Sequence, residues 1–163
     1  MSQTHDTLDH EADGVTADAS QPSRMGWVLG LGGLVPFVLI SGLLVYGGTE
    51  TIAYGTVVLA LTAYSASILA FLGGIRWGLG LRPRPHQAHE LLLSVLPSLA
   101  GWVLVLVPAP YVFAGFAACF ALQGGWDLNS ARRGKLPPWF ARLRLVLTIV
   151  VVLCHTAVFV RTF

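Results

Sequence analysis

Charge is scarce in this chain: Asp, Glu, Lys and Arg make up only 11% of its 163 residues, against 55% hydrophobic. A soluble domain this short has too little interior to hide so much apolar surface, so the expected solvent is a lipid bilayer. Other absences narrow the chemistry. Cysteine occurs only at Cys119 and Cys154, both within apolar runs, where a buried thiol is a small packing residue rather than half of a disulfide or a metal pair. No Ser-His-Asp set, Cys-His pair or phosphate loop is present, so nothing nominates a nucleophile. Gly30-Leu31-Gly32-Gly33 lacks the third glycine of the dinucleotide fingerprint and has no strand before it. The apolar runs have no period of two, which excludes a transmembrane β-barrel.

The charge-free runs Met25 to Gly48, Thr51 to Ile75, Leu91 to Gly125 and Leu145 to Val160 compare with the ~20 residues that a helix needs to cross hydrocarbon. Leu91 to Gly125 is too long for one crossing, and Val107-Pro108-Ala109-Pro110 breaks it into a hairpin. The expectation is an all-α, polytopic transmembrane helix bundle with about five spans, at about 26–46, 52–75, 90–107, 110–129 and 143–162. With those spans, nine of the ten Lys and Arg residues fall on one side, leaving Arg161 alone on the other. The positive-inside rule then puts the N-terminus in the cytoplasm and the C-terminus outside. The basic residues are topology determinants and headgroup contacts, so the net charge of +2 implies no nucleic-acid partner.

Residues 1–24 read as an acidic, disordered tail, with Asp6, Asp9, Glu11, Asp13 and Asp18 and almost no large apolar side chain; residues 25–163 form the membrane domain. The tail has neither the basic start and short apolar core of a secretory signal nor the Arg-rich composition of a transit peptide. The expected location is the bacterial inner (cytoplasmic) membrane, with the first span as an uncleaved anchor.

Candidate functional residues gather where apolar runs end. Arg76 follows 25 uncharged residues, about 37 Å of helix, and so reaches the membrane boundary. One reading is a snorkelling arginine anchored beside Trp77. The other pairs it with Asp127, in the last turn of the fourth span, where an acid opposes the helix dipole and asks for a cation. Arg132 and Arg133 compete for that role, and Gln123, one turn earlier on the same face, extends the cluster.

Small residues are the other recurring feature. Gly26 and Gly30 form a GxxxG pair, and Ala63, Ala66, Ala70 and Gly74, beside Ser67 and Gly73, recur at helical spacing. Such stripes let helix backbones approach closely in lipid, and packing outweighs a ligand groove as their explanation. Gly74 and Gly78 continue the stripe past Arg76, suggesting backbone pressed against a neighbour or bent. His86, His89 and Glu90 have ligand-compatible spacing but no further ligands nearby, so solvated loop histidines are favoured over a metal site. His155, inside the last span, either relays protons or hydrogen-bonds a neighbouring helix, and the latter is easier to arrange. Pro137 to Arg144 reads as a short interfacial element ahead of that span.

FLGGIRWG, with Leu96-Pro97-Ser98-Leu99, Trp102, Asp127 and PPWFARLRLVLT, resembles the uncharacterised membrane proteins grouped as domain of unknown function 3429 (DUF3429), which are similar to transmembrane protein 69. The resemblance spans about residues 25–160. Its pattern falls on Gly73, Gly74, Arg76, Trp77, Gly78, Asp127, Pro138, Trp139, Leu143 and Arg144. The family commonly has histidine at the position of Arg76 and Trp-Tyr where this chain has Trp139-Phe140. The resemblance implies a membrane location and no reaction or cofactor.

Three functions fit these features. The first is a non-enzymatic assembly factor or accessory subunit that binds another membrane protein, or a second copy, through small-residue helix faces. The second is a small transporter or permeation subunit using Arg76, Gln123 and Asp127, and the third a lipid- or quinone-binding enzyme. The first rests on the packing motifs and on the lack of a nucleophile, and implies no metal or cofactor.

Overall fold

The computed structural model describes residues 24–50, 53–81, 87–134 and 136–163, and every regular element among them is helical. The acidic tail, His86, Arg82, Arg84 and Lys135 lie outside the described residues. The helices are α1 (Arg24–Gly32), α2 (Leu34–Gly47), α3 (Tyr54–Gly80), α4 (Gln87–Val105), α5 (Tyr111–Arg132) and α6 (Pro138–Thr162), with a 3₁₀ turn at Gly48–Glu50. Lipid offers no partner for a bare peptide group, so each apolar run closes its own hydrogen bonds as a helix.

Four helical segments are long and apolar enough to cross a membrane: α1 with α2, most of α3, α4 and α6. The fifth helix, α5, is long enough at 22 residues, but Gln123, Asp127 and Ser130 lower its apolarity. Those three side chains are buried along one face with Val112, Phe113, Phe116, Phe120 and Gly124, at the 3.6-residue period of a helix turned to a core. The chain is a multi-pass membrane protein, and its most polar helix is held inside the bundle.

Two hairpins make the framework. α3 packs most extensively on α4 and α5 on α6, while α2 lies across α6 and α3. The core between them is Phe37, Leu44, Leu61, Leu69, Phe113, Phe116 and Phe120 with Val151 and Val158. The first expected span is divided at Gly33, because Pro36 has no N–H for the carbonyl one turn back and its ring crowds that carbonyl. The Tyr64 hydroxyl donates to the neighbouring Gly33 carbonyl at 2.9 Å.

At the end of the bundle nearest Arg132 the helices run past the expected boundaries. α3 runs past Ile75 to Gly80, and α6 begins at Pro138, a favoured first helical residue. Pro137 to Arg144 is therefore mostly the first turns of α6 rather than a separate interfacial element. The hydropathy edge marks where apolar side chains stop, and a helix continues past it as long as its backbone bonds close. α5 ends at Arg132, and two residues on Gly134 has a φ of +70°, which suits glycine just past a helix end. At the opposite end of the bundle Arg161 Nε donates to the Val45 carbonyl at 3.1 Å, which places a cation at the last turn of α2.

Candidate functional site

Where α3, α5 and α6 converge at the end of the bundle nearest Arg132, one carboxylate holds two guanidinium groups. Arg76 Nη2 donates to Asp127 Oδ1 at 2.5 Å and Arg144 Nε donates to Asp127 Oδ2 at 2.7 Å. Arg76 Nη1 also donates to Ser130 Oγ at 3.3 Å, and its guanidinium lies 4.0 Å from the centre of the Trp126 ring, within cation–π range. Arg76 Nε is buried without an acceptor. The side chains of Arg76, Asp127 and Arg144 are 13%, 8% and 8% exposed, so these charges interact across protein and lipid rather than water. Arginine is the cation suited to this position, because its planar fork stays charged and bridges several acceptors.

Local packing sets the geometry. A Cβ on Gly124 would lie 2.5 Å from Thr148 Oγ1 and Cγ2, so glycine there lets α5 and α6 approach closely. Asp127 stands one turn beyond Gly124 and Arg144 one turn before Thr148, which brings the pair into register across that contact. On the other side of α3, a Cβ on Gly73 would meet the Ser94 carbonyl oxygen at 2.5 Å. That close approach seats α3 against α4 beside Pro97.

Arg76 and Asp127 are thus in direct contact, whereas Arg132 and Arg133 are exposed. Gln123, 4% exposed, does not reach the cluster: it borders an apolar cleft with Leu69, Pro97, Cys119 and Leu122. Arg144 belongs to the sequence motif, but its role as second partner of Asp127 is not legible there, because Pro137 to Arg144 has the composition of an interfacial element. A signal was present: Arg144 shares a helical face with Val151, His155 and Val158, all buried. Trp77, Gly74 and Gly78 point outward, and Trp139 is half-buried, stacked edge-on with Phe140.

The small residues separate into two faces. Gly30 packs on Leu143 and Leu147 of α6, with Gly26 one turn before it, and Ala66 meets Gly101 of α4, whose Cβ would sit 3.1 Å from Ala66 Cα. Ala63, Ser67, Ala70, Gly74 and Gly78 form a second stripe on α3, all five exposed. A Cβ on Gly74 or Gly78 would meet nothing within 4 Å, so among the described residues neither backbone is pressed against a neighbour.

His155 is far from the ion cluster. It is fully enclosed between α3 and α6, with Nδ1 2.9 Å from the Val151 carbonyl and Nε2 3.0 Å from Ser65 Oγ. Nδ1 donates to that carbonyl, the Ser65 hydroxyl donates to the Leu61 carbonyl at 2.6 Å, and Nε2 lies within hydrogen-bond distance of the same hydroxyl oxygen. Phe37, Phe116 and Phe120 surround the imidazole, each at 5.7 Å between ring centres. This is a helix-to-helix hydrogen bond inside an aromatic cage. On α6 it stands 11 positions from Arg144, about 16 Å of helix, so the two polar centres do not share one reaction site.

Comparison with known proteins gives the same picture of the chain. The family described as "Protein of unknown function (DUF3429)" matches residues 22–160. Transmembrane protein 69 of Xenopus tropicalis is 35% identical over 138 residues, covering 83% of this chain and 52% of that protein. Transmembrane protein 69 of Mus musculus is 35% identical over 125 residues, covering 74% and 49%. The chain therefore spans about half the length of these curated relatives. No solved structure matches it.

Proposed function

Because the chain belongs to the DUF3429 family, whose description assigns no activity, we propose a function from its own surface: a non-enzymatic accessory or assembly protein that docks a transmembrane helix of another membrane protein. The observation behind this reading is the exposed stripe of Ala63, Ser67, Ala70, Gly74 and Gly78 on α3. The stripe extends over about 22 Å of helix, most of a hydrocarbon thickness. In lipid, apolar side chains gain little from meeting each other, and association comes from close backbone packing, for which small residues are suited. The same helix already uses small residues in this way at Ala66 and Gly73 toward α4. Ser67 donates its hydroxyl to the Ala63 carbonyl at 2.9 Å, so the stripe presents a smooth, internally satisfied surface.

The ion cluster favours a heterologous partner. A parallel pair of identical chains joined along this stripe would bring two arginine-rich centres to the same depth, whereas a different helix carries no such repulsion. The cluster itself serves as structural support for α3. The free space beside Arg76 and Asp127 is about 10 Å³, at the lower limit for one water, and Gln123 lies outside it. That geometry disfavours the transporter reading.

The test is site-directed crosslinking in membranes from a photoreactive residue at position 74 or 70, paired with Gly74→Leu. A crosslink to one defined membrane protein, lost from a position on the α4-facing side and abolished by Gly74→Leu, is expected. Crosslinks to lipid only, with an unchanged monomer in the Gly74→Leu chain, would end the proposal.

A further inference from the structure

The ion cluster has more positive charge than it neutralises. Arg76 and Arg144 share the single carboxylate of Asp127, which leaves this contact group at net +1. The negative end of α5 and the positive end of α6 meet at the same level and offset each other. Glu90, in the first turn of α4, also attracts Arg76. The Arg144 side chain is more than nine-tenths buried, yet among the described residues it engages only Asp127 Oδ2, through Nε. Its terminal amino groups offer four more N–H donors. Neither group is among the fully buried atoms without a partner, which are Ser41 Oγ and Arg76 Nε among the described residues, and an anion is the partner a guanidinium fork suits best.

Arg144 is also part of the wall of a separate groove of about 120 Å³ between α1, α2, α3 and α6. Gly30, Leu34, Phe37, Phe71, Leu147 and Val151 are in the rest of the wall, with Thr148 as its other polar residue, so the groove is mostly apolar for about 10 Å along α6 from Arg144 to Val151. Its volume is below the ~300 Å³ at which small-molecule sites begin, and so it takes part of a chain rather than a whole ligand. Depth fixes what kind. Arg144 and Arg161 are 17 positions apart on α6, about 26 Å, close to the ~30 Å of hydrocarbon. Arg144 therefore stands at the level where lipid phosphates meet acyl chains.

We propose that this groove binds one anionic phospholipid of the surrounding bilayer, with its phosphate on the terminal amino groups of Arg144 and the first methylenes of an acyl chain along Leu147 and Val151. The Arg144 guanidinium, which shares its one carboxylate with Arg76, selects a lipid of net negative charge over a zwitterionic one, whose own ammonium cancels the match. Asp127 holds Arg144 by Nε, and the terminal amino groups are the donors offered to the phosphate. The lipid binds without chemical change.

The experiment uses the full chain, purified in mild detergent after equilibration with equal phosphatidylglycerol and phosphatidylcholine, and measures retained lipid by native mass spectrometry. One retained phosphatidylglycerol per chain is expected. Arg144→Gln should weaken retention about tenfold or more, the scale of losing a charge-assisted hydrogen bond. Arg142→Gln, which changes an exposed arginine on the same helix, should leave it unchanged. Leu29→Trp narrows the groove at an exposed rim position without touching the ion cluster, and should also reduce retention, which decides the matter if Arg144→Gln does not fold. Equal retention of both lipids, an equal loss with Arg142→Gln, or displacement by millimolar inorganic phosphate would overturn the proposal.

Discussion

Replacing Asp127 with asparagine removes one charge and turns one of two acceptors into a donor. Asp127 Oδ1 and Oδ2 each receive an arginine N–H, at 2.5 and 2.7 Å. In the variant, whichever way the amide is oriented, its –NH₂ faces a guanidinium donor while two buried cations lose their counter-charge. Breaking a buried ion pair from one side costs about 3–5 kcal/mol. For a chain of this size each kcal/mol moves the unfolding midpoint by about 2–4 °C, so a fall of roughly 6–20 °C is expected in mild detergent, followed by far-ultraviolet circular dichroism. The loss should be strongly coupled to Arg144. In the double variant Asp127→Asn, Arg144→Gln one cation has gone, and its loss of stability should fall short of the sum of the single losses by ~1–3 kcal/mol, the range for residues in one ion network. Replacing all three charges with apolar residues should recover much of the rest, because the desolvation of the ions disappears with them. A midpoint for Asp127→Asn within 2 °C of the wild type, or strict additivity in the double variant, would refute a buried, three-helix ion cluster.

Two further measurements probe the packing. Gly73→Ala places a Cβ 2.5 Å from a backbone carbonyl of α4, whereas Gly74→Ala meets nothing within 4 Å; the first should destabilise by about 1–3 kcal/mol and the second by less than ~0.5 kcal/mol, read from paired thermal melts. If the neighbouring variants melt together, the division of α3 into a packed and a free face is wrong. Ser65→Ala removes the hydroxyl beside His155 Nε2 and should cost about 0.6–1.7 kcal/mol, the range for hydrogen bonds between membrane helices. A detergent-denaturation titration showing no loss would place the imidazole in a different hydrogen-bonding arrangement.

The membrane character of the chain, its helical class and the approximate positions of its helices were legible from the charge-free runs. Lipid forces any apolar stretch of sufficient length to satisfy its own backbone, so hydropathy alone suffices for that conclusion. Half of the site was legible as well. Asp127 in a final helical turn demands a cation, and Arg76 emerges at the matching depth. Arg144 was not legible as its partner, because depth constrains position along the membrane normal and leaves rotation about each helix axis free. The close approach of Gly124 to Thr148 sets that rotation for α5 and α6, and glycine in a membrane helix carries no mark of which neighbour it will meet.

The small residues make the same distinction at greater length. The sequence by itself determined that α3 is a helix with small side chains at spacings of three and four, since composition and period are properties of one segment. Only the tertiary structure decided that Ala66 and Gly73 are spent against α4 while Ala63, Ala70, Gly74 and Gly78 remain exposed. Residues 100° apart on a helix meet different neighbours, and the choice between them is a sum of long-range contacts that no single segment encodes.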